Sequence, residues 1–166
     1  MLRAGYGNGS ASEVALLRVN MATRLLYRPA TERDAEPIRS LLESCGLPTS
    51  DLQQSHPEFT VACEGEAIVG VAGLDRFGVT GLLRSLAVSA DHRGFVVGQT
   101  IVANLERRAF TTGVTEVVLL TETARPFFES RGYQVIERAS APAPIHASTE
   151  FRTLCPQSAC CMAKKL

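Results

Sequence analysis

From residue 25 onward, short apolar runs alternate with stretches of helical period. LLYR at 25–28 reads as a strand. ATERDAEPIRSLLESCG reads as the helix after it: Thr31 or Asp34 is available as a cap, Pro37 is tolerated only in a first turn, and Gly46 closes the segment. FTVAC at 59–63 and AIVGVAGL at 67–74 are β-rich and flank the turn-forming Glu64, Gly65 and Glu66, which predicts an antiparallel hairpin. LLRSLAV at 82–88 is a further strand. Behind the loop that follows it, Val97, Ile101, Val102, Leu105 and Ala109 recur at helical spacing. VTEVVLL at 114–120 reads as a buried strand, ARPFFESRG as a short helix closed by Gly132, and YQVI as another strand. The tail offers a short helix ending near Pro156 and a last strand around Ser158 to Met162. This order implies an α/β (α+β mixed) architecture: a central mixed, twisted sheet of about seven strands with helices on both faces.

Length and composition narrow the class. The 166 residues suit about one domain, and 45% hydrophobic with 20% charged residues excludes disorder for most of the chain. Residues 1–22 stand apart, with Gly, Ser and Asn clustered in GYGNGSAS and a second Met, Met21, ahead of the first strand. They are expected to form a loose tail before a single domain spanning 23–166. Seventeen Lys plus Arg balance seventeen Asp plus Glu, so no global field recruits nucleic acid or an anionic membrane. No window approaches the roughly 18 apolar residues of a membrane span. The opening apolar run is broken by Glu13 and Arg18 and does not read as a secretory signal, so the expected compartment is the cytoplasm. Five cysteines, with no CxxC pair, indicate reduced thiols rather than a disulfide framework or a zinc knuckle.

Chemistry concentrates in one loop. Arg93, Gly94 and Gly98 lie between an apolar strand and the start of a helix, where unpaired backbone N–H groups and the positive helix end meet an anion. A phosphate site and an ordinary glycine-bearing connection are both compatible with this spacing. A Walker loop is excluded because no GKS or GKT follows, and a dinucleotide fingerprint because the preceding strand is not the first of a βαβ unit.

The segment LAVSADHRGFVVGQTIVANLERRAF resembles motif A of the GNAT superfamily of acyl-CoA transferases, in which Arg or Gln is followed after two residues by Gly and, after one more, by Gly or Ala. Arg93 and Gly98 match the first and last places; Val96 replaces the middle glycine. A valine there keeps its N–H, but it brings a side chain toward the pyrophosphate and resists a positive φ. The resemblance runs from about Leu25 to Lys164, since element order and ARPFFESRGYQV also agree with the GNAT fold. SCGLPTSDL, GLLRSLAV, FFESRGY and FRTLCPQSACCM together are similar to the arsenic-resistance N-acetyltransferases of the ArsN type. CGLP is shared loosely with the glutamate-acetylating enzymes of arginine synthesis.

The resemblance implies an N-acetyltransferase with acetyl-CoA as cosubstrate and a small, amino-acid-like amine as acceptor. The pyrophosphate would lie on Arg93, Gly94, Phe95, Val96, Val97, Gly98 and Gln99, and the pantetheine amide along Leu86, Ala87 and Val88. An α-amine of pKa near 8 must lose a proton before attack. Some family members carry a glutamate for this on the strand before the loop, and LLRSLAV has no carboxylate. Water relayed by Ser85 or by Thr121 and its neighbours in TET is the expectation that remains. The family's leaving-thiolate tyrosine is replaced by Phe128, which leaves Thr121, Ser130, water or unassisted departure. Phe127 and Phe128 are read as apolar walls of the pantetheine arm or as core.

Arg84 shares strand parity with Leu82, Leu86 and Val88, so a guanidinium projects from an apolar face. It either grips a substrate carboxylate or forms an internal ion pair with a glutamate. His56, His92 and His146 have no ligand spacing, and no metal is expected. Cys155, Cys160 and Cys161 read as buried thiols, although soft thiolates also favour metalloids. A non-catalytic acyl-CoA-binding module is the alternative to an enzyme. Modification of charged transfer RNA is disfavoured by the zero net charge. A homodimer through the final strands, placed at the sheet edge, is left open.

Overall fold

The computed structural model describes residues 25–94 and 96–166. The tail expected over 1–22 and Phe95 of the loop lie outside the described residues. In chain order the strands are β1 (Leu26–Pro29), β2 (Glu58–Glu64), β3 (Ala67–Phe77), β4 (Thr80–Val88), β5 (Glu116–Thr121), β6 (Gln134–Val135) and β7 (Cys160–Lys165). The helices are α1 (Ala35–Ser44), α2 (Leu52–Ser55), α3 (Val97–Thr111), α4 (Arg125–Glu129) and α5 (Ala143–His146), and a π-helical turn covers Glu150–Leu154. They surround one seven-stranded sheet of order β1-β2-β3-β4-β5-β7-β6, in which β4 and β5 run parallel and the other neighbours antiparallel.

Local signals in the chain account for these elements. Asp34 forms a capping box with Thr31 and holds Arg28 through both carboxylate oxygens, at 2.6 and 2.9 Å, which ties β1 to the start of α1. Its pKa falls well below the usual carboxylate range, chiefly through the Arg28 hydrogen bonds. Pro37 sits in the first turn of α1, as its missing N–H requires. α3 buries Val97, Ile101, Val102, Leu105 and Ala109 against β2, β3 and β5. Each of the larger side chains contributes about 1.5–3 kcal/mol by leaving water. Gly70 on β3 permits this approach, because a Cβ there would stand 2.5 Å from Cδ1 of Ile101.

The opposite face carries two smaller clusters. α1 packs Ile38, Leu41 and Leu42 on Val61, Cys63, Val71 and Ala87. α5 and the π turn pack Ile145 and Phe151 on Leu82, Val118, Cys161 and Ala163. Helices therefore cover both faces, as the element order predicted. The last strand differs from expectation: β7 lies inside the sheet, paired with β5 on one side and β6 on the other, so the two-residue β6 forms the edge. Antiparallel pairing of β7 with β5 buries CCMA more completely than an edge position would. The short helix α2 was also absent from the sequence-based reading.

Candidate active site

The geometry of the site begins with one irregularity in β4. Val71 pairs with Ala87 and Gly73 with Arg84, so Ser85 and Leu86 together face the single residue Ala72. Ser85 takes φ 55, a left-handed conformation that marks this bulge. The extra residue reverses the side-chain alternation. Leu83 packs on the α3 face; beyond the bulge Leu86 and Val88 do so as well, whereas Arg84 points to the other face. The expected common parity of Arg84 with Leu86 and Val88 is thus broken, because a period of two fails across a bulge.

The bulge coincides with a divergence of strands. β4 and β5 pair from Thr80↔Glu116 to Leu83↔Leu119 and no further, while β4 continues along β3 to Val88 and β5 along β7 to Thr121. Two cavities lie beside this region, and Leu86 lines both.

On the α3 side, a cleft of about 320 Å³ is lined by Leu86, Val88, His92, Arg93, Gly94, Gly98, Gln99 and Phe127. Among the described residues no side chain caps the start of α3, so its first N–H groups face this cleft without the usual cap. A Cβ on Gly98 would lie 3.7 Å from both Phe127 and Val88, and its absence leaves space between them. Arg93 is exposed; its Nε donates to the Val88 carbonyl at 3.0 Å, and its Nη2 lies 3.3 Å from Sγ of Cys45. Positive φ falls on Gly94, at 75°, while Val96 takes φ −69° and points outward, 48% exposed. The anticipated backbone strain at Val96 is therefore not present. Ala87 and Val97 are buried in the two cores and their side chains do not line the cleft. An open cleft, an uncapped helix start and a guanidinium at its rim fit a diphosphate-bearing cosubstrate.

On the other side, a cavity of about 300 Å³ is bounded by Ser85, Leu86, Thr121, Phe128, Glu150 and Cys155, with Leu47 and Pro48 closing one wall. Phe127 and Phe128 meet edge to face at 5.0 Å between ring centroids, each lining one of the two cavities. Phe128 also packs on Tyr133 at 5.3 Å, so it serves both as wall and as core. The Thr121 hydroxyl accepts from the Ala124 N–H at 2.9 Å and fixes the turn into α4.

Arg84 occupies the floor, its side chain 1% exposed. Asp51 takes Nη1 and Nη2 bidentately at 2.6 and 2.8 Å, Asp75 lies 3.1 Å from Nη1, and Oε2 of Glu150 lies 3.2 Å from Nε. Of the two readings of Arg84, the internal ion pair is the one observed, with two aspartates beside the glutamate. Burial pushes the carboxyls of Asp75 and Glu150 above their ordinary values, and the Arg84 charge opposes the shift. Burial likewise pushes the Cys155 thiol up to about 12, which keeps it neutral. Asp51 and Glu150 escaped the sequence-based reading. Both stand outside any strand or long helix, and only the unpaired charge of Arg84 signalled that such partners exist.

Residues 21–133 match the model of the Acetyltransferase (GNAT) family, and the chain belongs to that family. No curated protein matches the chain. Among solved structures, N-acetylglutamate synthase from Neisseria gonorrhoeae, complexed with coenzyme A and N-acetyl-glutamate, superposes with a TM-score of 0.73 at 20% identity over 86% of this chain and 35% of that one. This chain thus spans about a third of the synthase's length. Rv2747 from Mycobacterium tuberculosis, in complex with CoA and NLQ, gives 0.70 at 23% identity over 85% and 99%. PaiA N-acetyltransferase from Thermoplasma acidophilum, in complex with coenzyme A, gives 0.63 at 16% over 86% and 99%. No helix among the described residues is long and apolar enough to cross a membrane.

Proposed function

We propose that the protein transfers the acetyl group of acetyl-CoA to the amine of a small, amino-acid-like molecule, and that it serves resistance to an arsenical or herbicide-type antimetabolite by removing its nucleophilic amine. The observation that carries this reading is the divergence of β4 and β5 beyond Leu83↔Leu119, with a cleft at the start of α3 and a cavity on the other side that share Leu86 as a wall. A cavity of about 300 Å³ admits a small molecule and is too confined for a folded protein. The fold shared with an enzyme crystallised with N-acetyl-glutamate supports an amino-acid-like acceptor.

In this reading Arg93, Gly94, Phe95, Val96, Val97, Gly98 and Gln99 hold the pyrophosphate with main-chain N–H groups and one guanidinium. The main chain of Leu86, Ala87 and Val88, with Phe127, lines the pantetheine arm. Ser85 and Thr121 order water beside the reacting atoms. Arg84 shapes the acceptor side through its carboxylate partners instead of meeting a substrate carboxylate. A cytoplasmic setting is supported by five free cysteines.

A thiol-release assay with acetyl-CoA over amino acids and their arsenical and phosphinic analogues tests the reading. Amine-dependent release of free thiol supports it. The competing reading, a non-catalytic acyl-CoA-binding module, is favoured by the lack of a carboxylate on β4 and by Phe128. Tight acetyl-CoA binding without transfer to any amine would establish it in place of the enzyme.

A further inference from the structure

The three carboxylates around Arg84 are not equivalent. Asp51 spends both oxygens on the guanidinium, and Asp75 lies on β3 away from either cavity. Glu150 alone of the three lines the acceptor cavity. Its Oε2 is near Nε of Arg84, but that N–H is not aligned for a hydrogen bond, and among the described residues its Oε1 has only the weak thiol donor of Cys155, at 3.5 Å. Glu150 also opens the π-helical turn, where the Cys155 N–H reaches back to the Glu150 carbonyl at 3.1 Å. Such turns recur at functional sites because they re-aim one side chain.

Charge points the same way. One guanidinium faces three buried carboxylates, so with all of them ionised the cluster holds excess negative charge in an enclosed site. Arg138, a cation beside Cys155, is engaged by the carbonyls of Phe151, Cys155 and Pro156. The cluster gains by taking up a proton or a cation, and only Glu150 can receive either from the cavity. Glu122, at the same cavity, is exposed and lacks that enclosure.

We propose that Glu150 is the proton acceptor for the acceptor amine. This rests on the acetyltransferase reading above and supplies the carboxylate that β4 lacks. The acceptor's ammonium docks against Glu150. One N–H bond breaks, its electron pair stays on nitrogen, and an O–H bond forms on the carboxyl, from which the proton passes to water. Overall, an ammonium and a thioester become an amide, a thiol and one proton, and that proton is the one Glu150 removes. Arg84 is then a positioning residue that anchors the floor without neutralising the carboxylate's remaining oxygen.

The test compares glycine, protonated at neutral pH, with hydroxylamine, which is already unprotonated there. Thiol release is followed for wild type, Glu150→Gln and Glu150→Asp, alongside calorimetric titration with acetyl-CoA. Glu150→Gln is expected to lower glycine turnover by about a hundredfold or more while changing hydroxylamine turnover less than about threefold. Acetyl-CoA affinity should stay unchanged, and raising the pH should restore glycine turnover. Glu150→Asp, which keeps a carboxylate, should recover part of the rate, and a melting curve establishes that each variant folds. In the free protein, a ¹³C-labelled Glu150 carboxyl should titrate above the ordinary glutamate range. Equal losses with both acceptors, no loss with either, or an ordinary titration would overturn the assignment alone. Wild type that binds acetyl-CoA but acetylates neither of these acceptors nor any amine of the wider screen would overturn the transferase reading and this assignment with it.

Discussion

Arg84 and Leu86 lie two positions apart on β4 and point to opposite faces of the sheet. In an uninterrupted strand they would share a face. Ser85 between them absorbs the difference, and the result is a division of labour along a few ångströms of chain. Leu86 and Val88 turn toward the cleft under α3, and Arg84 turns toward the carboxylates beneath the acceptor cavity. On the proposed reading, a single backbone defect separates the side that would accept a phosphate-bearing cosubstrate from the side that would accept an amine.

That defect carries a measurable cost. A non-glycine residue at φ 55 is disfavoured by about 1 kcal/mol, and a β-branched residue by more. Ser85→Gly should therefore raise unfolding stability by up to about 1 kcal/mol, and Ser85→Val should lower it by about 1–2 kcal/mol. Urea unfolding of the three proteins checks this; a Gly variant less stable than wild type would show that the serine hydroxyl contributes more than the backbone loses.

Gly98 makes the opposite separation, between stability and binding. It is helical, and a Cβ there meets only ordinary contacts with Phe127 and Val88. Gly98→Leu should keep or raise the melting temperature, since leucine favours a helix by up to about 1 kcal/mol over glycine. Its side chain should fill the cleft and weaken acetyl-CoA binding by about tenfold or more. A variant that binds normally would move the pyrophosphate site elsewhere.

Glu150 gives the stability a pH dependence of defined sign. Burial raises its folded-state pKa above the unfolded value of 4.5. Between the two values the folded state holds more protons, so this group opposes folding increasingly as pH rises from about 4 toward neutral. Glu150→Gln removes that contribution. Its stability relative to wild type should be more favourable at pH 7 than at pH 4. Urea unfolding at the two pH values measures the difference; one that shrinks with rising pH would contradict the burial of an ionisable Glu150.

Most of the fold was legible because its elements are locally self-consistent. The stripe from Val97 to Ala109, the turn at Glu64 to Glu66 and the cap at Thr31 and Asp34 each specify their structure from neighbours in sequence. The loop from Arg93 to Gly98 was legible for the same reason, since a helix start signals itself locally. The bulge at Ser85 was not, because serine is an ordinary strand residue and its positive φ arises from pairing with β3. Nor was the insertion of β7 between β5 and β6, which depends on partners more than twenty residues away. Glu150 reaches the site only through tertiary packing of the π turn on Leu82 and Val118, and no local pattern marks it.

The central claim is that the cleft between β4 and α3 binds acetyl-CoA, and calorimetric titration of wild type and Arg93→Ala with acetyl-CoA tests it most directly. The expected result is micromolar binding at one site, weakened about tenfold or more by the substitution, since a charge-assisted contact to phosphate contributes roughly 1.5–3 kcal/mol. Absence of binding by wild type, or binding that Arg93→Ala leaves unchanged, would contradict the assignment of this loop.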